Sequence, residues 1–180
     1  MYVSDGAGSG AWGLPNTART GFWTYQDAAT AGTPIALTVA STWYDLTNDG
    51  AGSGTSSTYK LSDASHVWDT AADRFVFTDL SLGDTVDVAL DVDVITGGVN
   101  TAISLKHELG LSPGTPVSRV VVDHKNFKTA ATHNVVLHFM LFIDSTNILD
   151  NPGRLQMRAD ATGTTVIVND VQIRVITGAA

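Results

Sequence analysis

The segment from residue 86 to residue 94 constrains the fold of this chain more than any other. Apolar residues occupy every second position, and polar or small residues lie between them. This two-residue period is typical of a half-buried antiparallel strand, with one face towards a core and the other towards water. The alternating apolar residues are Val86, Val88, Leu90, Val92 and Val94.

A second segment, residues 135–143, is apolar on both faces of the predicted strand. Such a strand needs cover on both sides. We therefore predict a central strand, covered on one side by the domain's own core and on the other by a second sheet or a neighbouring subunit.

The composition favours strands throughout the chain. Threonine and valine are abundant, and the acidic residues are all aspartates except for a single glutamate, Glu108. This usage disfavours helix and favours strands joined by Asp, Gly and Thr turns. We predict an all-β fold, an antiparallel β-sandwich of jelly-roll type with eight or nine strands. The predicted strands are 35–40, 42–46, 74–77, 84–95, 102–109, 118–124, 134–144, 154–159 and 165–176.

The segment 1–34 differs in character from the rest of the chain. Glycines and prolines break it up, while aromatic residues recur, so we predict an extended arm over residues 1–34 and a jelly-roll domain over residues 35–180. The arm's aromatic side chains are candidates for docking on a partner. They are Tyr2, Trp12, Phe22, Trp23 and Tyr25.

Charge and cysteine content exclude several classes of function. The formal net charge is −8 and there is no cysteine, which disfavours nucleic-acid or anionic-membrane binding and rules out disulfides and thiol chemistry. No run reaches the roughly 18 apolar residues of a membrane span, and the N-terminal residues lack the pattern of a signal peptide.

The chemical motifs are weak, so we predict no enzyme, no catalytic residues, no cofactor and no metal site. A GxGxxG match at residues 8–13 lacks the strand and helix that it needs. The five histidines form no His-x-His pair, and Asp87, Asp91 and Asp93 on one strand face are typical of a solvated surface. Calcium is the metal hardest to exclude, because Asp-rich turns at 45–49 and 79–84 carry oxygen ligands.

Four aromatic residues lie around the Gly/Ser/Thr-rich stretch 47–58. Exposed aromatic rings beside polar loops hold sugar rings in lectin-like sandwiches, whereas buried ones belong to the core. Both interpretations stay open for these candidate glycan contacts, which are Trp43, Tyr44, Tyr59 and Trp68.

Most of the chain, from Thr42 to the final strand, resembles a domain that recurs in virion proteins of tailed bacteriophages. Head fibres, head spikes, decoration proteins and tail-fibre tips contain this domain. Residues 3–12 are also similar to a Gly-rich peptide that joins fibre shafts to heads in such proteins. The resemblance rests on Thr42-Trp43, Leu46–Gly52, Tyr59, Val67–Asp69, Phe75, Phe77, Leu80–Asp84, Val86–Val88, Leu105, Glu108–Gly110, Phe127-Lys128, Thr132–Val136, Asn147, Leu149, Asn151-Pro152 and the final strand.

The resemblance implies a homotrimeric jelly roll on the virion surface, a knob or spike bound to the capsid or to a spike or fibre base. Host surface polysaccharide is a candidate partner, and whether such a protein contacts the host at all stays open at this point. A threefold partner would cover the second apolar face of segment 135–143, which makes Val136, His138, Met140 and Phe142 the candidate trimer interface. The alternative functions are a lectin-like carbohydrate-binding module and a tail-fibre receptor-binding tip.

Overall fold

The computed structural model describes residues 2–4, 10–12, 19–26, 34–47 and 58–178. Within these ranges it contains thirteen strands and one short helix. The strands are β1 (Tyr2–Ser4), β2 (Gly10–Trp12), β3 (Thr20–Gln26), β4 (Ile35–Leu37), β5 (Tyr44–Asp45), β6 (Trp68–Asp69), β7 (Arg74–Phe75), β8 (Thr85–Ile95), β9 (Thr101–Leu109), β10 (Val117–Phe127), β11 (Thr132–Phe142), β12 (Arg154–Ala159) and β13 (Thr164–Ile176), and the helix is α1 (Thr146–Asp150).

Two antiparallel sheets form the domain. The front sheet has the order β11-β8-β13-β3, with β4 also paired to β13, and the back sheet has the order β10-β9-β12-β5. β1 pairs with β2, and β6 with β7, in two small separate ladders. The predicted antiparallel sandwich is confirmed.

The connectivity is that of a jelly roll. Strands β4, β5, β8 and β9 form the first half of a long rolled hairpin, and the second half pairs with them in reverse order. The pairs are β9 with β10, β8 with β11, β5 with β12 and β4 with β13. Because alternate pairs fall in opposite sheets, the rolled hairpin becomes a two-layer sandwich.

The core lies between the two sheets. All five alternating apolar residues of β8 point inward and are buried. In β13 the inward positions change phase at a bulge between Val168 and Asp170, so that Val166 and Val168 are followed by Val171 on the same face. From the back sheet, β9 and β12 contribute Ile103, Leu105, Leu155 and Met157.

The expected arm is wrong for residues 20–26. These residues form β3, which pairs with β13 from Thr20 to Gln26. Trp23 and Tyr25 are buried in the core of their own chain, so they cannot dock on a partner, while Phe22 faces outward and is 38% exposed. The domain therefore begins before residue 35.

The expected central position of segment 135–143 is also wrong. Among the described strands, its strand, β11, pairs with β8 alone and forms an edge of the front sheet. The inward residues Val135, Leu137 and Leu141 are buried, but Val136, Met140 and Phe142 stay exposed on the outer face. The segment is thus apolar on both faces, as predicted, and only one face is covered within the chain.

Trp23 and Phe22 provide a test of the part that β3 has in the core. We expect Trp23→Ala to lower the free energy of unfolding by about 3–5 kcal/mol, because it empties a fully buried site. Phe22→Ala, next to it on the outer face, is the matched control, with a loss of less than about 1 kcal/mol. Urea denaturation at low protein concentration measures both, and equal losses would contradict the burial of β3.

His107 provides a test of the sandwich interior. The imidazole is buried on the inner face of β9 and stacks on Phe139 at 6.0 Å between ring centroids. Burial, helped by the charge of Arg119, lowers the pKa of His107 from 6.5 to about 4. The unfolded chain therefore takes up this proton first as the pH falls.

We expect the contribution of His107 to stability to be complete above pH 6.5 and to be lost as the pH falls towards 4. The full loss is about 3 kcal/mol. His107→Phe should remove this part of the pH dependence, while His66→Gln, at an exposed histidine, should retain it. Urea midpoints measured across this pH range and up to neutral pH give the comparison, and identical profiles for wild type and His107→Phe would contradict the prediction.

Candidate interaction surface

Exposed apolar side chains concentrate on one side of the sandwich. Among the described residues, ten large hydrophobic side chains are exposed, and five of them lie on β10 and β11. Single exposed apolar residues are normal on a protein surface, but a group of them marks a contact site. Val117, Met140 and Phe142 line one cavity between the two strands, and we call these three residues the side patch. The register turns Val120 to the outer face of the back sheet, opposite Lys106, and places Val136 opposite Asp91 on the outer face of the front sheet.

The side patch lies where the sandwich is open. β10 and β11 are the edge strands of the back and front sheets on the same side. Between them lies a cavity of about 190 Å³, lined by Val117, Met140 and Phe142 and reaching inward to His107. Nδ1 of His107 has no hydrogen-bond partner among the described residues.

β11 is the least protected of the sheet edges. Proteins usually guard an edge with charges, prolines, bulges or a covering loop. β11 contains no proline, lysine, arginine, aspartate or glutamate, and its ladder with β8 runs from Thr132 to Phe142 without a register shift.

The other edges carry such protection. β10 has two register shifts and a positive φ of 53° at His124, and β5 has two residues. β3 is covered by the segment after residue 58, where the Tyr59 carbonyl accepts a hydrogen bond from the Phe22 N–H. At Gly21 an added Cβ would lie 2.6 Å from the backbone nitrogen of Leu61, so this cover requires glycine.

Basic and acidic residues lie on different surfaces: three basic residues lie on or after β10, and a group of aspartates lies on the front sheet. Six of the ten basic residues form ion pairs with acidic residues. Of the remaining four, Arg119 and Lys125 lie on β10 and Lys128 follows it, and all three are exposed. No ion pair joins these three cations to a described acidic residue.

The outer face of the front sheet is acidic. We call it the acidic face: it carries Asp87, Asp91 and Asp93 on β8 and Asp170 on β13, with Arg174 paired to Asp87. The Asn134 amide donates hydrogen bonds to Asp91 and Asp93 at 2.8 and 3.0 Å. Burial raises the pKa of Asp170, and one oxygen of its carboxyl, Oδ1, has no hydrogen-bond partner among the described residues.

A groove of about 550 Å³ crosses this face. Phe22 on β3 and Met140 on β11 line its two sides. Ala89, Gln172 and the Asp87–Arg174 pair line it in between.

The four candidate glycan residues do not form one platform. Trp68 is buried and packs edge-to-face on Phe75 at 4.8 Å, so it is a core residue. The Tyr44 hydroxyl accepts a hydrogen bond from the Val39 N–H. Tyr59 is exposed beside β3, and Trp43 lies on the outer face of the back sheet.

Trp43 lies beside a network of charges. The Lys106 ammonium and the Arg158 guanidinium are 5.0 and 4.8 Å from the centre of its ring. Nearby, Arg154 bridges Glu108 and Asp45. The pKa of Glu108 is lowered, chiefly by a hydrogen bond from the Ser118 hydroxyl.

The side chains of Tyr2 and Trp12 lie outside the described part of the structure, and their docking role stays a prediction. The stretch 48–57 also lies outside it. In the described ranges, no three His, Asp or Glu residues are grouped so as to hold a metal ion. The Asp84 carboxylate accepts the N–H groups of Ser81 and Gly178, so it stabilises a turn. The helix in the described ranges, α1, is not long and apolar enough to cross a membrane.

Sequence reasoning identified the outer residues of β11 and predicted β10 as a strand at 118–124, but it did not identify the cations of β10 as part of an interaction surface. A signal for this surface is present in residues 117–125, where Val, Arg and Lys follow no two-residue period. Both faces of this part of β10 are largely exposed. It also missed that Asp87, Asp91 and Asp93 share a sheet face with Phe22, because β3 was expected to lie outside the domain.

No protein-family model matches the chain, and no curated protein matches it. Among solved structures, a chain of infectious bursal disease virus, Gx strain, superposes with a TM-score of 0.48 at 9% identity, over 91% of this chain and 33% of that chain. The VP2 subviral particle of the same virus gives 0.45 at 9% identity, over 98% and 37%.

A third similar structure is the CBM22-1 xylan-binding domain from Paenibacillus barcinonensis Xyn10C. Its TM-score is 0.39 at 13% identity, over 59% of this chain and 65% of that one. The chain spans about a third of the length of the two viral chains. At such low identities and TM-scores, these similarities carry no weight for function, and the jelly-roll assignment rests on the strand order.

Proposed function

We propose that this chain is a structural subunit of a virus particle that assembles as a homotrimer through its side patch. The concentration of exposed apolar residues on β10 and β11 is the observation that carries this proposal. Val136, Met140 and Phe142 are 49, 61 and 53% exposed on a strand with no charged residue of its own. A second copy of the chain would remove this surface from water.

The side patch can form the centre of a contact, but the contact must extend beyond it. A strand of the length of β11 is about 36 Å long, and two packed sheets lie about 10 Å apart. The side formed by β10 and β11 therefore offers roughly 360 Å². This is less than half of the ~800 Å² per partner of a standard protein–protein interface, so the contact must include surface beside it. His138 lies on the same outer face of β11 as Val136 and Met140, opposite Ala89.

The bacteriophage part of the proposal rests on the sequence resemblance. It makes the chain a head fibre, head spike or decoration protein on the virion surface, bound to capsid or spike-base proteins. Residues 1–18 are the segment left for docking, because β3 belongs to the domain. Cryo-electron microscopy of particles carrying the chain tests this role, and particles without a threefold density for it would contradict the proposal.

Assembly through the side patch can be tested in solution. We expect light scattering to give about three times the 18.9 kDa chain mass for the wild type. Phe142→Asp and Met140→Asp should each shift the protein to monomer, because an unpaired carboxylate in a dry interface costs several kcal/mol.

Val39→Asp is the matched control, since Val39 is equally exposed but lies after β4. It should leave the trimer intact. Circular dichroism checks that each variant is folded. A wild type that stays monomeric at about 100 µM would exclude self-association at physiologically useful strength.

Carbohydrate binding is the second candidate function, favoured by the surroundings of Trp43. Besides Lys106 and Arg158, the buried Gln156 lies on this face, with its Oε1 unpartnered among the described residues. The Gln156 amide nitrogen donates to Asp45 at 2.6 Å, which fixes the orientation of the amide. A sugar ring would pack on the Trp43 indole, beside the Lys106 and Arg158 head groups.

A glycan array tests this second function. We expect Trp43→Ala to abolish any binding seen for the wild type, with unchanged trimer mass and unfolding midpoint. Tyr59→Ala is the control, because this exposed tyrosine lies beside β3 of the front sheet and not on the back sheet with Trp43. It should bind as the wild type does. Wild-type protein that binds no glycan on the array would contradict this candidate.

A further inference from the structure

We propose that the side patch of one copy packs on the acidic face of the next copy, so that the contact is head-to-tail. This inference rests on the proposed self-assembly and adds which two surfaces meet. The occupant of the groove between Phe22 and Met140 is then the β10–β11 side of a neighbouring chain.

The distribution of cations is the first support. The chain has only ten basic residues, and six are engaged in ion pairs. Arg119, Lys125 and Lys128 have no such pair among the described residues and sit on or directly after β10. A cation without a partner gains most where carboxylates of another molecule come close.

The acidic face supplies those carboxylates. It carries four aspartates against one arginine, and Arg174 is committed to Asp87. Asp91 and Asp93 are held in place by neutral amides from Asn134 and Asn169. Their hydrogen bonds fix the geometry but leave the negative charge uncompensated by a cation.

Three pairings of these surfaces are conceivable, and their electrostatics differ. Side against side brings the cations of β10 near their own copies, and face against face brings aspartates near aspartates. Both pairings place like charges together in a chain that already carries a net charge of −8. Only side against face joins opposite charges.

Shape supports the same pairing. The groove on the acidic face is bordered by Phe22, an exposed aromatic ring that packs nowhere in its own core. Val117 and Phe142 are about half exposed at the open side between β10 and β11 and can enter such a depression. The contact then has an apolar centre with charges around it, which is the usual composition of a protein interface.

Symmetry connects this contact to a trimer. A contact between two different surfaces of the same chain is heterologous, and it closes into a ring when the rotation between copies allows. A three-membered ring requires such a contact, because a twofold contact between identical patches produces dimers.

Charge reversal on either surface tests the proposal. We expect Arg119→Asp/Lys125→Asp, and separately Asp91→Lys/Asp93→Lys, to weaken assembly at least tenfold in dissociation constant. The four substitutions combined in one chain should restore assembly, because the opposite charges again face each other. Sedimentation at low and high salt gives the constants, and raising the salt should weaken the wild type as well.

Val39→Asp is the matched control, because it also adds a negative charge at an exposed position, but Val39 lies after β4 and lines neither the groove nor the side patch. It should assemble as the wild type does. Asp91→Asn/Asp93→Asn is the milder variant, should the lysine variant fail to fold, and should weaken assembly by a smaller factor.

The outcomes separate this inference from the proposed function. A monomeric wild type contradicts self-assembly itself. A trimeric wild type with no effect of reversal on either surface, or with no restoration in the combined variant, overturns the head-to-tail contact while self-assembly stands. A further outcome is that reversal of the β10 cations abolishes assembly while reversal on the acidic face has no effect. That result would show that the cations contact another surface, and it would also overturn the head-to-tail contact.

Discussion

The ladder of β8 with its two neighbours is the constraint on which the rest of the structure depends. β8 pairs with β11 on one side and β13 on the other, along its full length from Thr85 to Ile95. A slip by one residue would turn Asp87, Asp91 and Asp93 into the core and five apolar residues into water. Since burying unpaired carboxylates costs several kcal/mol each, this register is strongly specified, and the two halves of the rolled hairpin close around it.

The same register creates the surface on which the proposed function rests. Because every inward valine of β8 requires an outward neighbour, the aspartates become aligned on one face of the front sheet. β11 then occupies the edge beside them and presents Val136 and Met140 directly opposite Asp91 and Asp87. Apolar and acidic surfaces thus meet along one border, and the cations of β10 lie just around the edge of the sandwich.

Most of the fold was predictable because strand periodicity is a local property. All nine predicted strands overlap observed ones, and the alternation in β8 is visible without any knowledge of its partners. The position of β11 was not predictable, since a strand that is apolar on both faces looks the same whether a sheet or another copy covers it. β3 was missed because the outward Phe22 is as apolar as the inward Trp23 and Tyr25, so the sequence shows no clear two-residue period. Its glycine-rich flanks also resemble an extended arm. Trp68 was ambiguous for a related reason, as burial depends on Phe75, to which β6 pairs.

The apolar and charged parts of the proposed contact have different physical tasks. Burial of the side patch supplies most of the affinity, but apolar contact is non-directional and would tolerate several orientations. Charges add little net affinity, yet they disfavour wrong orientations, because like charges brought together cost several kcal/mol. In a chain with eight excess negative charges, copies repel each other over most of their surface. Three of the four cations that lack ion pairs to described residues lie on or directly after β10. This leaves one side where approach is attractive, and that side also carries the unguarded apolar edge.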